Sequence, residues 1–185
     1  MRNVKKLYTS GNLVRITGKE TDISFSTEGR RYLLGDGSAN MPDGEIYTSP
    51  VEDSVNGHIF FEFPGVYAGK IIHGIRLNFK NGKLISAKST NEQELLDDIL
   101  NMDEGASVIG EFGVGLNYNI TKFCYDILFD EKIGGTIHLA VGRGYTECGG
   151  KNYSALHWDI IKDLREEGAI YINGEKIMEN GKYQL

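Results

Sequence analysis

The 185-residue sequence predicts an α+β domain, mostly antiparallel sheet joined by hairpins, with about two helices. Three observations lead there. Short runs of period-two hydrophobicity far outnumber helical patterns. Asn-Gly pairs stand between such runs at Asn81-Gly82 and Asn173-Gly174, and another follows at Asn180-Gly181; both residues of such a pair tolerate the positive φ of a two-residue hairpin. Glycine is abundant, with 24 residues, and proline scarce, with 3, which is the balance of tight turns rather than of linkers. The length sustains one domain with a real core, so residues 1–185 are read as a single domain.

In order, Leu13–Ile16 and Asp22–Ser26 read as the first two strands, the second alternating polar and apolar as a half-buried strand does. The segment from Gly35 to Gly44 is rich in turn formers and ends at the extended piece Glu45–Pro50. His58–Phe63 leads through Pro64-Gly65 towards Ile71-Ile72, and Ile75–Phe79 and Leu84–Ala87 flank the Asn81-Gly82 turn. One helix is clear: Asn91 is placed to cap it, with Glu94 completing a capping box. Leu95, Leu96, Ile99, Leu100 and Met102 form its apolar face, and it stops near Glu104-Gly105. Ser107–Gly110 leads into Glu111, and Gly113-Val114-Gly115 suggests backbone passing close to another group. A shorter helix is expected over Lys122–Phe129, with Cys124 as a small core residue beside Phe123. The strand Thr136–Ala140 follows the Gly134-Gly135 turn, and Ile170–Ile177 forms the hairpin around Asn173-Gly174.

The totals narrow the function. A formal net charge of -6 argues against nucleic acid as a partner, which needs a basic patch. No apolar run is long enough to span a bilayer, and no membrane partner is expected. The basic N-terminus lacks the apolar stretch of a signal peptide. Cys124 and Cys148 form no C-x-x-C pair, so a thiolate zinc site has no support and a reducing, cytoplasmic setting is expected.

The chemistry concentrates between His138 and Asp159. In a strand, His157 and Asp159 share one face, as two neighbouring metal ligands must. The flanking Ala155-Leu156 and Ile160-Ile161 imply burial, and burying an ionised aspartate without a partner costs several kcal/mol. A cation beside it would remove that cost. Oxygen and nitrogen donors without thiolate suit Zn²⁺, Co²⁺, Mn²⁺ or Mg²⁺. Glu45, Glu111 and His138 are further residues of ligand type at element edges or in apolar stretches. Singly, each also has a structural explanation: a lone strand histidine is more often a core or surface residue than a ligand.

Five segments together resemble the M29 peptidase family, metalloaminopeptidases of the aminopeptidase T and aminopeptidase S type. They are Asn40–Pro50, Gly110–Asn117, Leu128–Lys132, His138–Tyr145 and His157–Asp159, in the family's order and at similar intervals. The resemblance reaches from about Leu13 to the C-terminus and covers the family's C-terminal metal-binding part; the family's separate N-terminal α/β domain has no counterpart in it. It implies a centre of two divalent ions held by Glu45, Glu111, His138, His157 and Asp159, with Glu131 as a further acidic position. Tyr145 matches the family's active-site tyrosine. The stretch from Glu131 to His138 is slightly longer than in the family and that from Tyr145 to His157 shorter, and the latter loop is expected to shape the substrate pocket.

The function this implies is a metal-dependent aminopeptidase acting on peptides with a free N-terminus, as a homodimer. Two ions would activate a water, with Glu111 bridging them. Tyr145 would donate to the tetrahedral oxyanion, and Glu45 or Glu131 would carry the proton to the leaving amine. Each histidine should be oriented through its second ring nitrogen. The alternatives are a catalytically silent metal-binding domain and a β-rich interaction module.

Overall fold

Period-two alternation becomes strand almost wherever the sequence shows it. In the computed structural model, which describes residues 1–184, the chain begins with helix α1 (Arg2–Tyr8), β1 (Leu13–Gly18), β2 (Thr21–Ser26), β3 (Leu33–Gly35) and β4 (Glu45–Thr48). Then come β5 (Asn56–Phe60), β6 (Gly65–Tyr67), β7 (Lys70–Ile72), β8 (Arg76–Lys80), β9 (Lys83–Lys88) and helix α2 (Gln93–Leu100). The second half holds β10 (Ile109–Gly115), helix α3 (Ile127–Asp130), β11 (Thr136–Gly142), β12 (His157–Asp163), β13 (Ala169–Ile172), β14 (Glu175–Glu179) and β15 (Lys182–Tyr183). An α+β fold dominated by antiparallel sheet results.

Eight strands form one sheet in the order β15-β14-β13-β1-β2-β5-β8-β9, and five form a second in the order β12-β11-β10-β4-β3. β6 and β7 make a separate ribbon, tied to β12 where the Trp158 indole N–H donates to the Val66 carbonyl at 2.9 Å. The two large sheets share one hydrophobic core. Phe25 of β2 meets Phe112 of β10 edge-on with ring centroids 5.0 Å apart, a favoured aromatic geometry.

The three Asn-Gly pairs turn as their chemistry requires. Both residues have positive φ at Asn81-Gly82, Asn173-Gly174 and Asn180-Gly181, and the pairs close the β8–β9, β13–β14 and β14–β15 hairpins. No helix among the described residues is long and apolar enough to cross a membrane.

The helices depart from expectation in three ways. α1 has no counterpart in the sequence reading. It is short and basic, and it docks through buried Val4 and Tyr8 with Leu7 partly buried beside them; the Tyr8 and Tyr183 hydroxyls are hydrogen-bonded at 2.8 Å. α2 lacks the Asn91–Glu94 capping box: Glu92 occupies the cap position with left-handed backbone and no side-chain cap bond. Asn91 is used elsewhere, accepting from the His73 N–H at 2.7 Å and donating to the Ile71 carbonyl at 2.9 Å. The helix expected over Lys122–Phe129 is reduced to α3, capped by the Asp126 side chain. Cys124 therefore lies outside it and is exposed rather than in the core. Its backbone N–H donates to Asp130 at 2.8 Å.

Candidate metal centre

The five-stranded sheet has two chemically different faces. Phe112, Val114, Ile137, Leu139, Trp158 and Ile160 point into the core. The alternate positions carry Glu45 on β4, Glu111 on β10, His138 on β11, and His157 and Asp159 on β12. Ladder register puts them all on one face: Glu111 pairs with Ala140 and Ala140 with Asp159, His138 with Gly113, His157 with Gly142, and Glu45 with Gly115. Each of these five thus has a glycine or alanine directly across from it. Directly opposed Cβ atoms stand only about 4.5–5.5 Å apart, so small residues there leave room for imidazoles and carboxylates to converge. Gly113 is the sharpest case: a Cβ on it would fall 2.0 Å from His138 Nε2. The backbone at Gly113 approaches this histidine, and that at Gly115 approaches the Ile133 carbonyl.

The side chains meet above that face. His138 Nε2 lies 3.5 Å from both Glu45 Oε2 and Glu111 Oε1. His157 Nε2 lies 3.1 Å from Glu111 Oε2 and 3.5 Å from Asp159 Oδ2. Glu111 therefore stands between the two histidines, one oxygen towards each. Glu131 arrives from the C-terminal end of α3. Tyr145 enters from the loop after β11, held by its backbone N–H on Ser49 Oγ at 3.0 Å, and its hydroxyl is 3.5 Å from His157 Nε2. All seven residues singled out in the sequence lie in one place.

Electrostatics follow from burial and this proximity. Burial pushes the His138 imidazole down, but Glu111, 3.5 Å away, and then the charges of Glu45 and Glu131 outweigh it, raising it to about 10. His157 is raised to about 9 against burial by Glu111 and Asp159. Burial pushes Glu111 up, yet both histidines pull it down to about 2. Asp159 goes up to about 7, through burial first and then the Glu111 charge. Burial, with the charges of Glu111 and Asp159, raises the Tyr145 hydroxyl as well, which keeps it a hydrogen-bond donor.

Several donor atoms are left over. Glu45 Oε2, both ring nitrogens of His138 and Asp159 Oδ1 are buried without a hydrogen-bond partner among the described residues. An unpaired buried polar atom costs roughly 1–3 kcal/mol, so four at one spot call for a shared partner. A divalent cation fits. Glu45, Glu131 and His138 form one group with ligand atoms within 4.8 Å of one another, and Glu111, His138 and Asp159 form another. The donor set is oxygen and nitrogen only, suited to Zn²⁺, Co²⁺, Mn²⁺ or Mg²⁺. His157 Nδ1 faces the Arg143 carbonyl at 2.9 Å, which turns Nε2 towards the centre. His138 has no such orienting partner; Gly113 and its neighbours hold it by shape.

Two parts of the centre are absent from the sequence reading. The first is Lys132, fully buried, whose ammonium donates to Glu45 Oε1 at 2.8 Å and to Glu131 Oε1, with Asp43 Oδ1 4.0 Å away. Nothing in its neighbours announces a buried lysine. The second is the wall of the cleft over the centre, about 360 Å³, built by Leu34, Ser38–Asn40, Asp43, Ile127 and Leu128. The Tyr145–His157 loop supplies only its two ends, contrary to expectation. Its middle is fastened away from the cleft, where Asn152 Nδ2 donates to the Gly105 and Gly142 carbonyls at 2.8 and 2.7 Å.

Comparison with known proteins points to a family of metalloproteases. A family model described as thermophilic metalloprotease (M29) matches residues 3–183. Aminopeptidase AmpS of Bacillus subtilis is 30% identical over 88% of this chain and 47% of its own length. Aminopeptidase T of Thermus thermophilus is 27% identical over 78% of this chain and 40% of its own. The chain thus spans about half the length of the curated relatives it matches. Among solved structures, wild-type AmpT from Thermus thermophilus superposes with a TM-score of 0.86 at 24% identity, over 100% of this chain and 53% of that one. A 2,5-dihydroxypyridine dioxygenase from Pseudomonas putida KT2440 gives 0.77 at 19%, over 97% and 57%. Both likenesses speak to the fold.

Proposed function

The chain belongs to the thermophilic metalloprotease (M29) family, and from that premise we propose that it is a metal-dependent aminopeptidase. The observation that carries this reading is the convergence of six side chains of ligand type on one sheet face and the loop above it, with four buried donor atoms lacking partners. In this reading Glu111, His138, His157 and Asp159 would hold one divalent ion, and Glu45 and Glu131 would hold a second. Bound there, such ions supply Lewis acidity that brings a water within reach of neutral pH and polarises the peptide carbonyl.

The rest is done by the protein's own groups. Glu111, with an oxygen facing each histidine, spans the two ligand groups and fixes their separation. Tyr145, kept protonated by its surroundings, donates to the carbonyl oxygen as charge develops on it. Glu45, its pKa raised by burial and then by the Glu131 charge, or Glu131 accepts the water's proton and passes it to the leaving amine. Apolar Leu34, Ile127 and Leu128 line the cleft where the substrate's first side chain would lie. Acidic Asp43 and Glu131 on the same wall suit its α-ammonium.

Association as a homodimer belongs to the same reading, as does a reducing, cytoplasmic setting, which suits the free thiols of Cys124 and Cys148. The requirement for a free N-terminus is tested with paired chromogenic substrates. A leucyl anilide should be cleaved and its N-acetylated form left intact; equal cleavage of both would remove the aminopeptidase assignment.

A further inference from the structure

Lys132 places a fixed positive charge inside a centre otherwise built for cations. Its side chain has no exposure at all. It is rooted at the end of α3, where its backbone N–H bonds the Phe129 carbonyl at 3.2 Å. Its ammonium takes Oε1 of both Glu45 and Glu131, two members of one ligand group. The other group, Glu111, His138 and Asp159 with His157 beside it, has no lysine or arginine side chain among its hydrogen-bond or ion-pair partners in the described residues; Arg143 meets His157 through its backbone carbonyl alone. The two groups are therefore electrostatically unequal before any ion arrives.

We propose that Lys132 is the resident cation of the Glu45–Glu131 end, so that the centre takes one divalent ion tightly and a second only when Lys132 is pushed aside. This rests on the metal-centre reading above and assigns each position its strength. The tight position is Glu111, His138, His157 and Asp159. There an ion meets carboxylates and imidazoles alone, and His157, one-fifth exposed, leaves it open to the cleft. At the other position an incoming ion must compete with an ammonium for the same two oxygens. It must also endure a like charge within a few ångströms at reduced dielectric. The consequence is a centre with one standing ion, whose second position fills only at high ion concentration.

The test is zinc titration of the chelator-stripped full chain, followed by calorimetry and by elemental analysis after dialysis. The native protein should retain one zinc per chain, with a second binding at least about 100-fold more weakly. Lys132→Met should bring the two affinities within about 10-fold and retain two ions, whereas Lys132→Arg should keep the one-ion pattern. Glu131→Gln covers the case in which Lys132→Met does not fold. It should weaken the second ion and leave the tight one unchanged. Two equal tight ions in the native protein, no bound ion, an unchanged second affinity in Lys132→Met, or loss of the tight ion in Glu131→Gln would each overturn the proposal. None of these readouts uses peptide hydrolysis. Failure of the aminopeptidase reading would show as one tight zinc without turnover, and failure of the Lys132 proposal as turnover with two equal ions.

Discussion

Gly113 and His138 face each other across the β10–β11 ladder, and a single methyl group on the glycine would lie 2.0 Å from the imidazole Nε2. The three heavy atoms nearest that hypothetical Cβ all belong to the His138 ring. Gly113→Ala should therefore displace the imidazole while disturbing little else. The expected result is a loss of metal affinity of roughly 10–100-fold, the range seen when the support of a ligand is disturbed. Elemental analysis and a circular dichroism spectrum would check it: metal lost with strand content retained supports the account, and full retention of metal contradicts it.

Tyr145 sits with its hydroxyl 3.5 Å from His157 Nε2 and its backbone anchored on Ser49. Tyr145→Phe keeps the ring and removes only the donor. Turnover should fall by roughly 10²–10³-fold, the range for loss of one oxyanion donor, with metal content unchanged. Turnover equal to that of the native protein would remove the oxyanion role.

Protons and metal ions should compete at this centre. His138 at about 10 and His157 at about 9 both carry a proton at pH 7 in the metal-free protein, and ligation requires neutral imidazoles. Loading at pH 7 should release about two protons per chain from these side chains, measured by calorimetry in buffers of different ionisation enthalpy. Heat independent of the buffer would contradict this.

The same shifts give a stability profile whose sign is fixed. Both histidines are raised above their unfolded value of about 6.5, so the stability they contribute is complete below that pH. It is lost as pH rises through about 9 to 10. Asp159, raised to about 7, adds a loss in the same direction at lower pH. Glu111, lowered to about 2, contributes stability that disappears only as pH falls from its unfolded value towards 2. Chelated protein should therefore melt at a lower temperature at pH 10 than at pH 6, as thermal unfolding would show. A melting temperature higher at pH 10 would reverse the sign and refute the assignment.

The sheet was legible because alternation and Asn-Gly turns act locally. The β8–β9 hairpin needs nothing beyond its own residues. The shared face of His157 and Asp159 followed from the same periodicity, and their side chains meet at 3.5 Å. Glu45, Glu111 and Glu131 could not be connected to that pair by spacing, because the strands and turn that deliver them are far apart in the chain; only resemblance joined them. α1 escaped notice because seven residues with two buried side chains leave too little pattern to read. The Asn91 cap was misread because a tertiary bond to the β7 end claims its side chain. Lys132 was invisible for a related reason. A lysine after Asp130-Glu131 reads as solvated surface until Glu45, from a distant strand, closes over it.

The central claim is that metal held on this sheet face makes the chain an aminopeptidase, and chelation tests it most directly. The purified protein should hydrolyse an aminoacyl chromogenic substrate, lose that activity when the metal is removed, and regain it when Zn²⁺, Co²⁺, Mn²⁺ or Mg²⁺ is returned. Protein with zinc bound at the centre that leaves the substrate uncleaved, or cleavage that survives complete removal of metal, would contradict it.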